Sequence, residues 1–256
     1  MKLVTYRKTK TSKARLGVIN DGQVTDVQKL GLLSGSQLPD TMLRLIDLGP
    51  DATFALSNLL NKKETRLPPG ISVPVENGTL LAPIPTPRKN IFGIGLNYVE
   101  HVAESAKNLD TAKDLPTKPV VFSKPPTAVI GTGDSIQHNS KMTQQLDWEV
   151  ELAVIIGTKA TRIEAKNAMD HVFGYSIMND VSARDNRRAG QWIFSKGQDT
   201  FAPFGPCIVT KDEITDPHNL NLWLKKNGVE KQNSNTKHLL FNIPTLISDL
   251  SSGMNS

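Results

Sequence analysis

One stretch decides the fold of this 256-residue chain: Asp147-Trp148-Glu149-Val150-Glu151-Leu152-Ala153-Val154-Ile155-Ile156-Gly157. It reads as a β-strand, so Glu149 and Glu151 share one face and lie about 7 Å apart. The apolar run that follows is typical of a strand buried on both faces. Carboxylates directed at an interior are costly unless a cation neutralises them, which predicts a divalent metal site. A strand with one wet face would instead place both carboxylates in solvent, and the strand alone leaves both interpretations open.

The composition is that of an ordinary water-soluble protein, with 38% hydrophobic residues and a mean hydropathy of −0.29. No apolar segment reaches the length of a membrane span, and the N-terminus does not read as a secretory signal. The net charge of +5 is scattered rather than clustered with aromatic residues, which argues against nucleic-acid binding. A single cysteine, Cys207, excludes an internal disulfide and a thiolate zinc site, so we expect a cytoplasmic or similarly reducing location.

The chain divides into two predicted domains, a small α+β N-terminal domain at 1–75 and a larger domain at 76–256. Proline-rich segments mark this boundary. Gly49-Pro50 is expected to split an apolar-periodic helical segment, and Asn227-Gly228 predicts a hairpin turn. Further elements are predicted as follows: strands at 3–6, 16–19, 24–27, 91–95, 120–123, 149–156, 172–179, 207–210 and 220–225, and helices at 41–60, 98–107 and 243–250.

Other polar residues are candidates for chemistry, each with a structural alternative. Asp180 ends a predicted strand, where active-site acids are common, but it could equally cap a helix beginning at Val181. His101 and Glu104 are neighbours on a predicted helix, where a carboxylate can orient an imidazole that activates water; an exposed surface pair is the alternative. Lys196 lies between apolar stretches and is either a buried cation or a loop lysine.

Taken in order, these motifs resemble the fumarylacetoacetate hydrolase family. The likeness spans roughly residues 90 to 254 and rests on the following segments: Gly95-Leu96-Asn97-Tyr98 with His101 and Glu104; Lys124-Pro125-Pro126-Thr127; Asp147-Trp148-Glu149-Val150-Glu151-Leu152; Gly174-Tyr175; Asn179-Asp180-Val181-Ser182-Ala183-Arg184-Asp185; Lys196-Gly197; Asp199-Thr200-Phe201-Ala202-Pro203; Gln232 to Thr236; and Phe241-Asn242-Ile243-Pro244 with Leu246-Ile247-Ser248. The resemblance implies an α+β fold, a curled mixed β-sheet roll with peripheral helices, preceded by the smaller N-terminal domain. It also implies a homodimer.

The resemblance further implies a site and a chemistry. Mg²⁺ or Mn²⁺ would be held by Glu149, Glu151 and Asp180, with a small 2-oxo acid chelating the metal through its carboxylate and keto oxygen. The metal would act as a Lewis acid that stabilises a metal-bound enolate. His101 would deprotonate an attacking water while Glu104 orients it. Lys196 would supply positive charge to the developing oxyanion. Arg184 would bind a substrate carboxylate or brace the site.

Two features depart from the family pattern. Many relatives carry a substrate-contacting Gln shortly after the Ala-Arg-Asp motif, whereas here Asn186-Arg187-Arg188-Ala189-Gly190-Gln191 occupies a region about one residue shorter. The family also continues beyond the equivalent of Met254 through a Pro-Gly-Asp segment and a Thr-Gly-Thr-Pro loop, whereas this sequence stops at Ser256. We therefore expect a catalytic domain truncated at its C-terminus, with an incomplete pocket and an open sheet edge.

The function expected first is hydrolysis of a C–C bond in a small 2-oxo or 1,3-diketo acid resembling an acylpyruvate, because the dyad is present to activate water. Decarboxylation of an oxaloacetate-like acid and isomerisation of unsaturated 2-oxo acids share the same enolate and remain alternatives. A different class of function is a non-catalytic relative that keeps the metal site without a completed pocket.

Overall fold

The computed structural model describes residues 1–61, 68–77, 79–98, 115–188 and 190–254. The strands in chain order are β1 Lys2–Arg7, β2 Arg15–Asn20, β3 Gln23–Asp26, β4 Ser72–Pro74, β5 Thr79–Leu80, β6 Ile91–Gly95, β7 Val120–Lys124, β8 Val129–Ile130, β9 Leu146–Asp147, β10 Val150–Ile156, β11 Val172–Asn179, β12 Ser182–Ala183, β13 Ala202–Thr210, β14 Asn221–Lys226 and β15 Val229–Asn235. The helices are α1 Val27–Leu33, α2 Met42–Asn61, α3 Ile193–Lys196 and α4 Ile243–Gly253.

A nine-stranded sheet organises these elements. Its strands follow the order β10-β11-β13-β1-β2-β3-β4, with β5 added to β1 and β8 to β13. The pairs are antiparallel except for the parallel pair of β8 and β13. Three two-stranded sheets, β6–β7, β9–β12 and β14–β15, accompany it. The predicted α+β class with a mixed sheet is confirmed.

The first strand ties the start of the chain to its second half. Lys2 pairs with Val209 and Leu3 with Ile208, so β1 continues the sheet that β13 begins. One apolar core accordingly includes residues of β1, β2, α1 and α2 together with residues of β13. The division into domains at residue 75 stays a prediction, and one hydrogen-bonded sheet runs through both segments.

Most predicted elements are found where the sequence places them. Gly49 breaks the helical geometry of α2 with a positive φ of 75°, at the point where the sequence predicts a split. The chain turns at Asn227-Gly228 between β14 and β15. The seven-residue helix α1 was not predicted; Asp26 caps it by accepting a hydrogen bond from the backbone N–H of Lys29. The predicted helix at 98–107 lies outside the described residues, apart from Tyr98.

Strand β10 is less enclosed than its apolar run predicts. β10 ends the strand order of the main sheet, and Ile155 is its only buried residue. An edge strand has a neighbour on one side only, which explains why its apolar side chains keep some contact with solvent. Glu149, immediately before β10, is nevertheless buried, with 6% of its surface exposed. No described helix is both long enough and apolar enough to cross a membrane.

Candidate active site

A small cavity brings several of the predicted residues together. Its volume is about 20 Å³, room for roughly one water-sized occupant. The segment that leaves β6, the start of β10 and helix α3 form its walls, which contain Ile94, Gly95, Leu96, Asn97, Tyr98, Phe122, Glu149, Glu151, Arg187, Trp192 and Lys196. Glu149 and Glu151 therefore share one face, as the alternation predicts. The interpretation that places both in solvent is wrong for Glu149.

Lys196 is the central cation of the site. Its side chain is 2% exposed, and its Nζ donates to Glu149 Oε2 at 2.5 Å and to Asp180 Oδ2 at 2.7 Å. The backbone N–H of Asp180 also donates to the Glu149 carbonyl at 2.7 Å. Lys196 is thus a buried cation rather than a loop lysine, and it joins two of the three predicted metal-binding carboxylates.

Asp180 does not cap a helix. The chain after it forms the short strand β12 and then a single 3₁₀ turn, so the predicted alternative of a helix beginning at Val181 is wrong. Asp180 instead stands at the end of β11 with 4% of its surface exposed. Burial raises the pKa of its carboxyl, and the neighbouring Glu149 adds to this effect, while Lys124 and Lys196 oppose it.

Lys124 is a second buried cation, to which sequence reasoning assigned no role. Its three ammonium protons go to the backbone carbonyls of Val181 at 3.0 Å, Phe201 at 2.8 Å and Lys196. Nζ also lies 2.7 Å from Asp180 Oδ1. The ammonium of Lys124 therefore compensates the charge of Asp180 at close range, on the side of the carboxylate opposite Lys196. Burial lowers the pKa of Lys124 to about 8.

Arg184 is committed to carboxylates of the chain itself. Its Nη1 lies 2.6 Å from Glu149 Oε1, while Nε and Nη2 contact Asp147 Oδ2 at 2.9 and 2.8 Å. Burial opposes ionisation of Glu149, but the charges of Lys196 and Arg184 outweigh it and lower the pKa of Glu149 to about 2. Of the two predicted roles for Arg184, bracing the site matches this geometry.

Glu151 is the carboxylate without a cation. No described Lys or Arg forms an ion pair with it. Desolvation raises the pKa of Glu151 to about 8, and the charges of Glu149 and Asp180 push it in the same direction. Glu151 retains a little surface in the cavity, yet the protein around it is dense enough to disfavour its charged form. Burial raises the pKa of the neighbouring Tyr98 hydroxyl, and the charge of Glu151 adds to this effect.

This donor set suits a hard cation chemically. Glu151 forms no ion pair with any described Lys or Arg and lies close to the carboxylates of Glu149 and Asp180, and a divalent ion with oxygen ligands would relieve that accumulation of negative charge. As the side chains stand, no three acidic, histidine or cysteine residues of the described chain are grouped closely enough to coordinate one ion. Lys196 occupies the space between Glu149 and Asp180, so these carboxylates would have to turn toward Glu151 to bind metal.

Gly95 and Trp192 shape the roof of the cavity. A Cβ on Gly95 would lie 2.5 Å from the Trp192 ring, so glycine is what lets the indole pack against β6. Trp192 also contacts the Phe122 ring, with centroids 5.5 Å apart. A larger apolar groove of about 760 Å³ adjoins the cavity and shares Leu96, Phe122 and Trp192 with it. The predicted dyad of His101 and Glu104 lies outside the described residues.

The chain matches the model of the family described as fumarylacetoacetate (FAA) hydrolase C-terminal over residues 90–255. It therefore belongs to the fumarylacetoacetate hydrolase family, as the resemblance indicated.

Known relatives extend this likeness over nearly the whole chain. Oxaloacetate tautomerase YisK of Bacillus subtilis is 37% identical over 242 residues, which cover 93% of this chain and 79% of the relative. The mitochondrial oxaloacetate tautomerase fahd2 of Xenopus laevis is 36% identical over 252 residues, covering 96% of this chain and 73% of the relative.

Solved structures have the same fold. Fumarylacetoacetate hydrolase from Exiguobacterium antarcticum has a TM-score of 0.77 and 34% identity, with 100% of this chain and 83% of that chain covered. Maleylpyruvate hydrolase from Sphingobium sp. SYK-6, solved in complex with manganese(II) and pyruvate, has a TM-score of 0.76 and 28% identity, with 99% and 84% covered. Relatives in this family thus include tautomerases and hydrolases.

Proposed function

We propose that this protein is a divalent-metal-dependent enzyme that forms the enolate of a small 2-oxo acid and interconverts its keto and enol forms. One observation carries the proposal: a cavity of atomic size is lined by Glu149 and Glu151, and Lys196 joins Glu149 to the neighbouring Asp180. Glu149, Glu151 and Asp180 are the residues that would hold Mg²⁺ or Mn²⁺. When bound, such a cation supplies Lewis-acid polarisation of the substrate's 2-oxo group.

The chain's own residues favour negative charge on the substrate oxygen. Lys196 keeps its ammonium in a site shielded from water, where a fixed positive charge stabilises a developing oxyanion more strongly than it would in bulk solvent. Lys124 and Arg184 hold Asp180 and Glu149 in place. Fixed partners of this kind reduce the reorganisation needed during the reaction.

Tautomerisation is favoured over hydrolysis on two grounds. Tautomerisation moves a proton from the carbon beside the carbonyl and requires no attacking water. The positive charge that stabilises the enolate oxygen is already supplied by the described residues. The two relatives from Bacillus subtilis and Xenopus laevis are both named oxaloacetate tautomerases. Oxaloacetate is therefore the first substrate to test. Its decarboxylation would release CO₂ and leave the enolate of pyruvate, which the same positive charges would stabilise.

Hydrolysis of an acylpyruvate-like C–C bond is the second candidate. The structural neighbour from Sphingobium is a maleylpyruvate hydrolase solved with manganese(II) and pyruvate, and the predicted water-activating pair His101 and Glu104 is present in the sequence. The homodimer and the cytoplasmic location stay predictions, the latter supported by the lone Cys207.

Parallel assays separate the two reactions. Purified protein with Mg²⁺ would be given oxaloacetate, with the enol followed by its ultraviolet absorbance, and acetylpyruvate, with acetate release measured. We expect faster keto–enol equilibration with oxaloacetate and little cleavage of acetylpyruvate. Efficient cleavage of acetylpyruvate would favour the hydrolase. If metal is shown to be bound and neither substrate reacts faster than it does without protein, the proposed enzyme activity is ruled out. The remaining hypothesis is then a non-catalytic relative.

A further inference from the structure

We infer that Arg187 is a specificity-determining residue that binds a second carboxylate of the substrate, so that the site selects 2-oxo dicarboxylic acids over 2-oxo monocarboxylic acids. The inference rests on the proposed function and adds to it the residue that would bind the carboxylate farthest from the 2-oxo group.

Arg187 is a cation at the cavity without a counter-ion among the described residues. It lines the same cavity as Glu149, Glu151 and Lys196, yet the described residues provide it with no ion pair and no hydrogen bond. Its Nε is buried and has no acceptor. A guanidinium that lines a cavity without a carboxylate partner is available to bind an anionic group of a ligand.

The guanidinium is also held in a defined position. Its central carbon lies 4.8 Å from the centroid of the Trp192 ring, and Gly95 fixes that ring against β6. Burial lowers the pKa of Arg187, and the neighbouring charge of Arg184 contributes. A planar guanidinium stacked on an aromatic face is pre-organised for the two parallel hydrogen bonds that a carboxylate accepts.

Charge complementarity points to the same class of ligand. Lys124, Arg184 and Lys196 each pair with a carboxylate of the chain, whereas the described residues give Arg187 none. A second carboxylate of the substrate would supply that missing counter-charge, and a monocarboxylate that uses its one carboxylate at the 2-oxo end would not.

Binding rather than turnover tests the assignment. Titration calorimetry would measure the affinity of Mg²⁺-loaded protein for two ligands: 3,3-difluoro-oxaloacetate, which has both carboxylates and no proton at carbon 3, and 2-oxobutanoate, which lacks the second carboxylate. In Arg187→Gln we expect affinity for the dicarboxylate to fall about 10- to 100-fold, the range for a charged hydrogen-bonded pair, with less than a threefold change for 2-oxobutanoate. Arg187→Lys keeps the positive charge but lacks the two parallel N–H donors of the guanidinium, so we expect an intermediate loss of affinity for the dicarboxylate.

Arg188→Gln is the matched control. Arg188 is the next residue, is exposed, and stacks on the Phe194 ring at 3.8 Å rather than lining the cavity. It should leave both affinities unchanged. Equal losses for the two ligands in Arg187→Gln, or no loss for either, would overturn the assignment of Arg187 while leaving the proposed function intact. Failure of the metal-loaded wild-type protein to bind either ligand would overturn both.

Discussion

At the scale of single residues, the site depends on buried cations as much as on its acids. Lys124 holds three carbonyls from separate segments and pairs with Asp180, while Lys196 bridges Glu149 and Asp180. Desolvating these charges is expensive, and only their mutual attraction offsets the cost. Removing one member therefore leaves the others uncompensated.

Lys124→Met should destabilise the protein by about 3–5 kcal/mol, the typical cost of leaving a buried charge without its partner. Lys211→Met provides the control, because Lys211 also reaches backbone carbonyls, those of Met169 and Asp170, but does so at the surface. That variant should lie within about 0.5 kcal/mol of wild type. Urea denaturation measures both, and equal effects of the two substitutions would contradict the role given to Lys124.

Asp26 gives a pH-dependent prediction far from the site. It is fully buried and accepts hydrogen bonds from Arg15, Tyr6 and the Lys29 N–H. Burial alone would raise the pKa of Asp26, but Arg15 and the Lys29 N–H lower it below the usual value. A depressed folded-state pKa stabilises the protein at pH values above the unfolded pKa of about 4, and this contribution is lost as the pH falls below it.

Asp26→Asn should accordingly cost about 2–4 kcal/mol at pH 7, since Arg15 loses its partner in a largely buried pair. The difference from wild type should shrink as the pH falls below about 4, because Asp26 gains a proton first in the unfolded state and only at lower pH in the folded state. Denaturation of both proteins between pH 2.5 and 7 measures this, with the exposed Asp51→Asn as control. A difference that stays constant down to pH 2.5 would contradict the ionised Asp26–Arg15 pair.

At the scale of elements, the contact between β11 and β13 supports the site, because Asp180 follows β11 directly. Gly174 of β11 packs so closely on β13 that an added Cβ would lie 2.3 Å from the Val209 carbonyl oxygen. Backbone cannot move aside as a flexible side chain can. Glycine is therefore required here by a close approach of two strands.

Gly174→Ala should reduce stability by about 1–3 kcal/mol or more, as overpacking does. Gly253→Ala, in the last turn of α4, meets open space and should be neutral or stabilising by up to about 1 kcal/mol. Thermal unfolding of the two variants side by side makes the comparison. A Gly174→Ala variant as stable as wild type would show that the two strands are farther apart than described.

The sequence predicts elements well where local chemistry decides them. Alternation locates β1 and β2, Asn227-Gly228 locates the β14–β15 turn, and Gly49 with Pro50 locates the kink of α2. β13 was predicted only from Cys207 onward because Pro203, Gly205 and Pro206 are unusual within a strand and conceal its first half. Helix α1 was not predicted because its seven residues make only about two helical turns, too few for a repeat of apolar residues to be recognised.

At the scale of the whole molecule, the contacts that the sequence does not predict are those between residues far apart in the chain. The alternation of Glu149 and Glu151 predicts their common face, but nothing local indicates that Lys124 and Lys196 meet at Asp180, or that Arg184 is used by Asp147 and Glu149. The same holds for Arg187 and its neighbour Arg188, which look alike in sequence but have different surroundings in the fold. Pairing of β1 with β13 joins positions some 200 residues apart, which no single strand pattern reveals.

The central claim is that carboxylates around one cavity make this protein a metal-dependent enzyme. It is tested most directly by measuring oxaloacetate keto–enol equilibration in metal-stripped protein as Mg²⁺ or Mn²⁺ is added back. Glu151→Gln is the test variant, and the exposed Glu164→Gln, whose carboxylate pairs with Lys166 at the surface, is its control.

We predict the uncatalysed rate in the stripped protein, full recovery on adding metal to wild type and Glu164→Gln, and a loss of about 100-fold or more in Glu151→Gln. Full activity in the metal-stripped protein, or undiminished activity in Glu151→Gln, would contradict the account.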